Sequence, residues 1–228
     1  ESLGAFLARE DVAGLNVTIP YKRDVMAYCD VLHETAREIG SVNTIVRRQD
    51  GTLAGYNTDA YGLVYMASRV GISFSGKKVV ILGSGGASLT AQFVAKTRGA
   101  REIVVVSRGG VDNYENLARH SDAQIIINTT PVGMYPHTGE APADLALFPA
   151  CEGLLELVYN PRRTALAFRA EELGIPCGEG LSMLVAQAKA AEELFFGREI
   201  ADGENERILR LLRRSTQNIV LIGMPGSG

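Results

Sequence analysis

Polar side chains that can carry chemistry cluster in three short stretches within the first sixty residues. They are Asn16, Thr18 and Lys22 in "NVTIPYK", Asn43 in "SVNT", and Asn57, Thr58 and Asp59 in "NTDAYG". A lysine and an aspartate that meet among hydroxyl and amide groups can act as an acid–base pair on a polar substrate. The three stretches together therefore predict a functional site.

Each of these residues also has an ordinary structural explanation. Lys22 could be a solvated surface lysine, and Asn43 could bond to the backbone in a turn. Asp59 fits the N-terminal cap of a helix that starts in "TDAYGLVYMA". The combination, rather than any one residue, favours function.

A glycine-rich turn, "GSGGAS" at 83–88, follows an apolar strand and opens a helix. This is the context of a dinucleotide-binding turn. Gly83 permits the tight turn, Gly85 lets the backbone approach a pyrophosphate, and the helix N-terminus offers unpaired N–H groups to the anion. Ser88 replaces the third glycine of the pattern and is still small enough for helix–strand packing.

The end of the next strand indicates which dinucleotide binds. NAD sites carry an acidic residue roughly 20 positions after the glycines to bind the ribose 2′-hydroxyl. Here the strand ends in "VVVSRGG", with Arg108 in that place. Arginine pairs with a 2′-phosphate, so NADP is favoured over NAD. A surface arginine at a strand end is the alternative, and "GGVDNYEN" adds no second basic residue.

The last residues, "NIVLIGMPGSG" (218–228), combine an apolar strand with Gly-x-x-x-x-Gly. This is the start of a phosphate-binding loop, without the Lys-Ser/Thr that completes one. The first residues, "ESLGAFLARE", resemble the middle of a helix. We therefore expect further sequence at both ends in a parent protein.

Composition excludes several classes of protein. Apolar residues make up 46% and charged residues 21% of the 228 residues, and the net charge is −3. These values are typical of a globular protein and give no electrostatic footprint for nucleic acid. No apolar run reaches the roughly 18–20 residues that span a bilayer. Three scattered cysteines and three histidines form no ligand cluster, so we expect no metal site and a cytoplasmic protein.

Strands and helices alternate from about residue 75 onward. Buried strands are predicted at 77–83, 101–108, 123–130 and 153–160, and helices at 87–99, 162–174 and 182–197. Continuous apolar strands separated by helices indicate an α/β fold with a Rossmann-type, doubly wound parallel sheet.

The first sixty residues predict a separate, smaller α/β unit. Strands are expected at 14–20 and within 41–59, where a hairpin turns at Gln49-Asp50-Gly51. A helix over 21–40, ending at Gly40, is expected between them.

The chain is similar to the shikimate dehydrogenases. The motifs "NVTIPYK", "GSVNTI", "GYNTDAYG", "GSGGAS", "INTTPVGM" and "GEGLSMLVAQA" occur in the order and with the spacing of that family, over residues 1–197. The resemblance implies NADP-dependent reduction of 3-dehydroshikimate to shikimate, in aromatic amino-acid biosynthesis. It also implies a substrate domain and an NADP domain that face each other across a cleft.

The resemblance assigns the substrate side residue by residue. Lys22 would be the acid–base group, with Asp59 as its partner and as a substrate ligand. Thr18, Asn43 and Gln187 would hydrogen-bond the substrate hydroxyls, and Tyr159 would reach the carboxylate end.

The same matching assigns the cofactor side. The residues that would cradle the pyrophosphate are Gly83, Ser84, Gly85, Gly86 and Ala87. Arg108 would hold the 2′-phosphate, beside Ser107, which stands where the family usually has Asn. Leu157 and Gly180 would meet the nicotinamide amide through their backbones, and Glu34 would lie near the cofactor.

The resemblance also predicts the domain organisation. Residues 1–62, completed by the helix at 181–197, would form a substrate domain truncated at its N-terminus, and 63–180 the NADP domain. Residues 198–217 would be a linker, and 218–228 would begin a shikimate kinase domain fused to the dehydrogenase. A Ser-x-Ser loop that binds the substrate carboxylate in the family would precede Glu1, so full activity is expected of the parent protein.

Two alternatives remain open from the residues. One is a quinate/shikimate dehydrogenase that uses NAD, against which Arg108 argues. The other is a dinucleotide-binding module without turnover, which intact Lys22 and Asp59 disfavour.

Overall fold

The computed structural model describes residues 2–216, and these contain two β-sheets. The strands of the smaller sheet are β1 (Gly14–Asn16), β2 (Val31–Leu32), β3 (Thr44–Arg47) and β4 (Leu53–Tyr56). Their order across the sheet is β1-β3-β4-β2, with β1 and β4 antiparallel to β3 and β2 parallel to β4. The first residues form a short helix, α1 (Leu3–Leu7).

The predicted hairpin is confirmed, since β3 and β4 are joined by a tight turn. The Arg48 N–H donates to the Thr52 carbonyl oxygen at 2.8 Å, and Gly51 has a φ of +86°. Asp50 closes the turn by accepting from the Thr52 N–H at 3.0 Å. Glycine is suited to this position because the left-handed region strains other residues.

The single helix predicted over 21–40 is wrong. The segment contains a 3₁₀ helix (Asp24–Tyr28), strand β2, and helix α2 (Glu34–Ile39). The Asp30 carboxylate accepts from the Leu53 N–H at 2.7 Å and brings β2 alongside β4. Strand pairing with a distant segment thus overrides the local helical periodicity. The predicted end of α2 at Gly40 is correct, with a φ of +71°.

The larger sheet is parallel throughout. Its strands are β5 (Lys78–Leu82), β6 (Glu102–Val106), β7 (Ile125–Asn128), β8 (Gly153–Glu156) and β9 (Cys177–Glu179). Their order is β6-β5-β7-β8-β9. The Rossmann-type prediction is confirmed. The edge strand β9 was not predicted, because three residues with a central glycine make no apolar run.

Helices cover both faces of this sheet. Helices α3 (Asp59–Arg69) and α4 (Gly86–Thr97) pack on one face against Ile81, Ile127 and Leu155. Helix α5 (Ala165–Glu172) packs on the other face, where Leu166 meets Val80 and Ile126. This double cover explains why β5 and β7 are apolar at consecutive positions.

The topology places a crevice at the carboxyl ends of β5 and β7. The chain leaves β5 for β6 on one side and then returns to β7 on the other side. Ligands of doubly wound sheets bind where the strand order reverses in this way. The glycine turn at 83–88 lies at this point.

Two further helices follow the larger sheet. Helix α6 (Gly180–Phe196) packs along α3, and α7 (Gly203–Ser215) packs on α6. Helix α7 lies within the predicted linker, where it buries Leu209 fully. The role of 198–217 as a linker stays a prediction, and the P-loop predicted at 218–228 lies outside the described residues. Among residues 2–216, every helix is too short or too polar to cross a membrane.

Candidate active site

Lys22 and Asp59 form an ion pair where the smaller sheet meets α3. The Lys22 Nζ lies 2.6 Å from the Asp59 Oδ2, and the two side chains are 24% and 16% exposed. The Val42 N–H donates to the Lys22 carbonyl oxygen at 2.8 Å, which anchors the segment after β1. Asp59 is the first residue of α3. The pair is shielded but still reached by solvent, as a proton-transfer group requires.

Asn43 holds Asp59 from the other side. Its buried Nδ2 group lies 3.0 Å from the Asp59 Oδ1 and 2.9 Å from the Thr58 Oγ1. Its Oδ1 accepts from the Thr58 N–H at 2.8 Å and from the Thr44 hydroxyl at 3.0 Å. Both ends of this amide are therefore engaged. Asn43 fixes the start of α3 and the orientation of the Asp59 carboxylate.

Gln187 enters the cluster from α6. Its Oε1 lies 3.3 Å from the Asn43 Nδ2 and 3.4 Å from the Thr58 Oγ1. The approach depends on Gly62, where a Cβ would lie only 2.6 Å from the Met183 carbonyl oxygen. The small residue on α3 lets α6 pack close enough to bring Gln187 to Asn43 and Thr58.

Asn16 borders the same cluster on the strand side, and Thr18 follows it two residues after the end of β1. Both side chains are exposed. The Asn16 Oδ1 accepts from the Thr44 hydroxyl at 3.3 Å, and Thr44 in turn bonds to Asn43. The Thr18 carbonyl accepts from the Tyr21 N–H at 3.0 Å, which turns the chain toward Lys22.

The glycine turn is built almost entirely from backbone. Gly83 has a φ of +104°, and a Cβ there would lie 2.8 Å from the Thr129 Oγ1. Gly85 caps α4, and Ser84, Gly85 and Gly86 are exposed, so the first N–H groups of the helix are reachable. This is a surface that an anion can approach closely. The residues present therefore fit a dinucleotide pyrophosphate.

Ser88 lies buried behind the turn, between α4 and the larger sheet. It is fully buried, and its hydroxyl accepts from the Gln92 Nε2 at 3.2 Å. The replacement of the third glycine is thus tolerated, because the small polar side chain fills a space between α4 and the sheet.

Leu157 and Gly180 touch each other at the ends of β8 and β9. A Cβ at Gly180 would overlap the carbonyl oxygen of Leu157 and lie 2.8 Å from that of Val158. The Leu157 N–H donates to the Asn128 carbonyl oxygen at 3.1 Å. The two backbones predicted to meet the nicotinamide are thus adjacent.

Known proteins resemble the chain over most of its length. Residues 2–45 match the family model described as the shikimate dehydrogenase substrate binding domain. The chain is 34% identical to the shikimate dehydrogenase (NADP(+)) of Caldicellulosiruptor bescii, over 93% of this chain and 79% of that protein. The chain belongs to the shikimate dehydrogenase family.

Solved structures of family members share the fold. A chorismate mutase/shikimate 5-dehydrogenase fusion protein from Clostridium acetobutylicum superposes with a TM-score of 0.87 at 34% identity, covering 92% of this chain and 81% of that one. Shikimate 5-dehydrogenase from Thermus thermophilus, in complex with NADP(H) and shikimate, superposes with a TM-score of 0.80 at 29% identity. That match covers 92% of this chain and 83% of that one.

Tyr159 and Glu34 are the two further residues assigned from the family. Tyr159 follows β8 with its side chain half exposed. Glu34 is exposed in the first turn of α2, and its neighbours His33 and Thr35 line a cavity with Arg98, at the far end of α4 from the glycine turn. That position gives the cofactor assignment of Glu34 no support.

Arg108 is exposed after β6, in the loop that follows Ser107. The Ser107 N–H donates to the Asp112 carbonyl oxygen at 3.1 Å and closes this loop. Burial raises the pKa of the Tyr114 hydroxyl, and the positive charge of Arg108 opposes this rise. The position fits a role beside a cofactor phosphate, which stays a prediction.

Sequence reasoning missed a buried polar network at the carboxyl ends of β7 and β8. The Glu156 carboxylate accepts from the Asn128 Nδ2 at 2.9 Å, the Val158 N–H at 3.0 Å and the Thr164 hydroxyl at 2.9 Å. Burial raises the pKa of Glu156, and these donors oppose the rise. A signal was available, since Asn128 and Glu156 each end an apolar strand with a polar residue.

Proposed function

We propose that the chain carries an NADP-dependent shikimate dehydrogenase, which reduces 3-dehydroshikimate to shikimate. The observation that carries the proposal is the pair of Lys22 and Asp59, 2.6 Å apart, in a chain of this family. A carbonyl reduction needs a proton donor at the oxygen where negative charge develops. A partly exposed ammonium held by a carboxylate has the chemistry of such a donor.

Lys22 is the proposed donor to the ketone oxygen. Asp59 holds the Lys22 ammonium in position, because its Oδ2 takes one N–H and leaves the other two for substrate. Asn43 holds the Asp59 Oδ1 and so prevents the carboxylate from rotating. In the reverse direction the deprotonated Lys22 amine accepts the proton from the substrate hydroxyl.

Substrate orientation is assigned to the residues around this pair. Thr18, Gln187 and Asn43 would bond the ring hydroxyls, and Tyr159 the carboxylate end. The hydrogen bonds of Asn43 to Thr58 and Asp59 would have to be shared with the substrate, since both ends of its amide are engaged. Thr18, whose side chain is exposed, needs no such exchange.

The glycine turn and the N-terminus of α4 are the proposed site of the NADP pyrophosphate. Arg108 would pair with the 2′-phosphate, and the backbones of Leu157 and Gly180 would orient the nicotinamide. When bound, the cofactor supplies the hydride. The domain division into 1–62 with 181–197, and 63–180, would place the two sites on facing units.

The test is absorbance at the reduced-nicotinamide band with the protein expressed from the gene's full reading frame. Shikimate and quinate are each mixed with NADP and with NAD, and cofactor binding is measured by calorimetry in parallel. Reduction of NADP by shikimate, abolished by Lys22→Ala with cofactor binding retained, is expected. Preferred turnover of quinate with NAD would favour the quinate/shikimate dehydrogenase alternative. NADP binding without turnover of either substrate would favour a non-catalytic binding module.

A fused kinase domain remains a proposal on the sequence of 218–228 alone. It is tested by expressing the gene's full reading frame and assaying phosphoryl transfer from ATP to shikimate. A reading frame that ends without a P-loop Lys-Ser/Thr would contradict it.

A further inference from the structure

The loop that carries Arg108 is tied down by side chains outside the family motifs. We define the phosphate loop as residues 107–112, between the end of β6 and the turn at Asn113. Its backbone closes on itself, because the Ser107 N–H donates to the Asp112 carbonyl oxygen at 3.1 Å and the Gly110 N–H donates to the Ser107 carbonyl oxygen at 3.2 Å. The loop is therefore a compact unit that presents Arg108 to solvent.

His120 anchors this loop from the 3₁₀ helix Leu117–His120. Its Nε2 lies 2.9 Å from the Asp112 Oδ1, and the imidazole is only 12% exposed. The His120 Nδ1 is buried without a hydrogen-bond partner. An Nε2–H tautomer satisfies this arrangement, since Nε2 then donates to Asp112 and the unpartnered Nδ1 carries no proton. Asn116 adds a second tie by donating from its Nδ2 to the Val111 carbonyl oxygen at 2.8 Å.

The charge of Asp112 makes this anchor relevant to cofactor choice. A carboxylate four residues from Arg108 would repel a cofactor phosphate and compete for the guanidinium. In the structure the Asp112 carboxylate is instead bonded to His120. The His120 imidazole thus binds the carboxylate of Asp112, which is the one acidic residue in the phosphate loop.

We propose that Asp112 and His120 are positioning residues for the 2′-phosphate of NADP, with His120 holding the Asp112 carboxylate so that Arg108 is left for the phosphate. The inference rests on the proposed NADP function. Neither residue is proposed to touch the cofactor. Their effect is on the preference for NADP over NAD, because only NADP carries the 2′-phosphate.

The test is calorimetric binding of NADP+ and NAD+ to the chain and its variants, which needs no turnover. His120→Phe keeps a ring of similar size and removes the donor, and we expect it to weaken NADP+ binding about tenfold, the scale of one charge-assisted hydrogen bond. NAD+ binding should stay within about twofold. His120→Gln, which keeps a donor, should recover most of the loss.

A second variant separates charge from shape. His120→Phe combined with Asp112→Asn removes the freed carboxylate charge and should restore much of the NADP+ affinity. If His120→Phe lowers the thermal midpoint sharply, binding is measured at a temperature at which the variant is folded, and the same selective loss of NADP+ affinity is expected.

The outcomes distinguish this inference from the proposed function. Arg108→Ala is measured alongside. If Arg108→Ala leaves the NADP/NAD preference unchanged, the 2′-phosphate assignment and this inference both fail. If Arg108→Ala lowers the preference but His120→Phe weakens both cofactors equally, or neither, only the inference fails.

Discussion

The proposed substrate site around Lys22 and Asp59 and the proposed cofactor site at the glycine turn are built by opposite means. Around Lys22 and Asp59, side chains bond to side chains, and Asn43 alone bonds to the side chains of four residues, which are Thr44, Thr58, Asp59 and Gln187. Around the glycine turn, the contact surface is backbone, and the informative feature is the absence of side chains at Gly83 and Gly85.

The difference follows from what each side must recognise. A proton transfer needs one titratable group at one point, and that group must be held by neighbours. A pyrophosphate is a diffuse anion that N–H groups at a helix N-terminus can bind, provided nothing blocks the approach. Removing a side chain should therefore impair the proposed substrate site, whereas adding a side chain should impair the proposed cofactor site.

The largest effect is expected from removing the proton donor. Lys22→Ala should lower kcat by at least about a hundredfold, because it removes the proposed proton donor to the ketone oxygen. Steady-state kinetics with shikimate and NADP measure it. Lys96→Ala, an exposed lysine on α4, is the matched control and should retain wild-type rates. Equal rates for wild type and Lys22→Ala would remove Lys22 from the mechanism.

The buried network around Glu156 is an exception to this comparison, because near the proposed cofactor site buried side chains hold the backbone in place. Glu156→Ala would leave the Asn128, Val158 and Thr164 donors without their acceptor. We expect it to lower the free energy of unfolding by about 3 kcal/mol. Urea denaturation measures the change. A loss below about 1 kcal/mol would show that water or a neighbour replaces the carboxylate.

The ionisation of Glu156 can be detected in the pH dependence of the free energy of unfolding. Burial raises its folded pKa above the usual value, so the folded chain binds this proton more tightly than the unfolded chain. The contribution of this proton to the free energy of unfolding is present below the unfolded-state pKa and is lost as the pH rises through the folded-state pKa. Relative to Glu156→Gln, which does not titrate, the wild type should be more stable at pH 4 than at pH 8. The opposite trend would contradict the pKa direction.

Adding one methyl group should damage the cofactor side. Gly83→Ala places a Cβ 2.8 Å from the Thr129 Oγ1 at a φ of +104°. We expect a stability loss of about 2 kcal/mol and weaker NADP binding, with substrate binding unchanged. Gly203→Ala, where a Cβ meets nothing within 4 Å, is the control for stability. Unchanged NADP affinity in a folded Gly83→Ala protein would contradict the view that the cofactor site depends on the absence of side chains.

The smallest effect is expected outside both sites. Glu206 on α7 accepts from Tyr65 at 2.7 Å and from Arg69 at 2.6 Å, and these bonds lower its pKa to about 2. Since Glu206 is 45% exposed, Glu206→Gln should cost less than about 1 kcal/mol at pH 7. The difference from wild type should shrink as the pH falls from 4.5 toward 2. A change in NADP or shikimate affinity would show that α7 couples to the sites.

Much of the fold was predicted from local patterns in the sequence. The strands β5 to β8, the turn at Gly51 and the ends of helices at Gly40 and Gly197 follow from runs of apolar residues and from glycine's freedom in the left-handed region. The residue types of the proposed catalytic pair were also visible, and so was the glycine turn at the end of β5. Each of these features depends on residues close together in the chain.

Other features depended on residues far apart. Strand β2 replaced part of a predicted helix because Asp30 bonds to Leu53, and β9 was too short to leave a periodic signal. The network around Glu156 joins three chain segments, and helix α7 lies where only a linker was assigned. Periodicity does not report such pairings.

The sequence by itself determined the order of the elements, the glycine-rich contact surface and the identity of the residues that can exchange a proton. Only the tertiary structure decided that Gln187 on α6 meets Asn43 across 144 positions of the chain, and that the Asp112 carboxylate is held by His120. The physical reason is that turns and periodic burial are set by near neighbours. The partner of a polar side chain is set by which elements pack, and Gly62 at the crossing of α3 and α6 is one residue on which that packing depends.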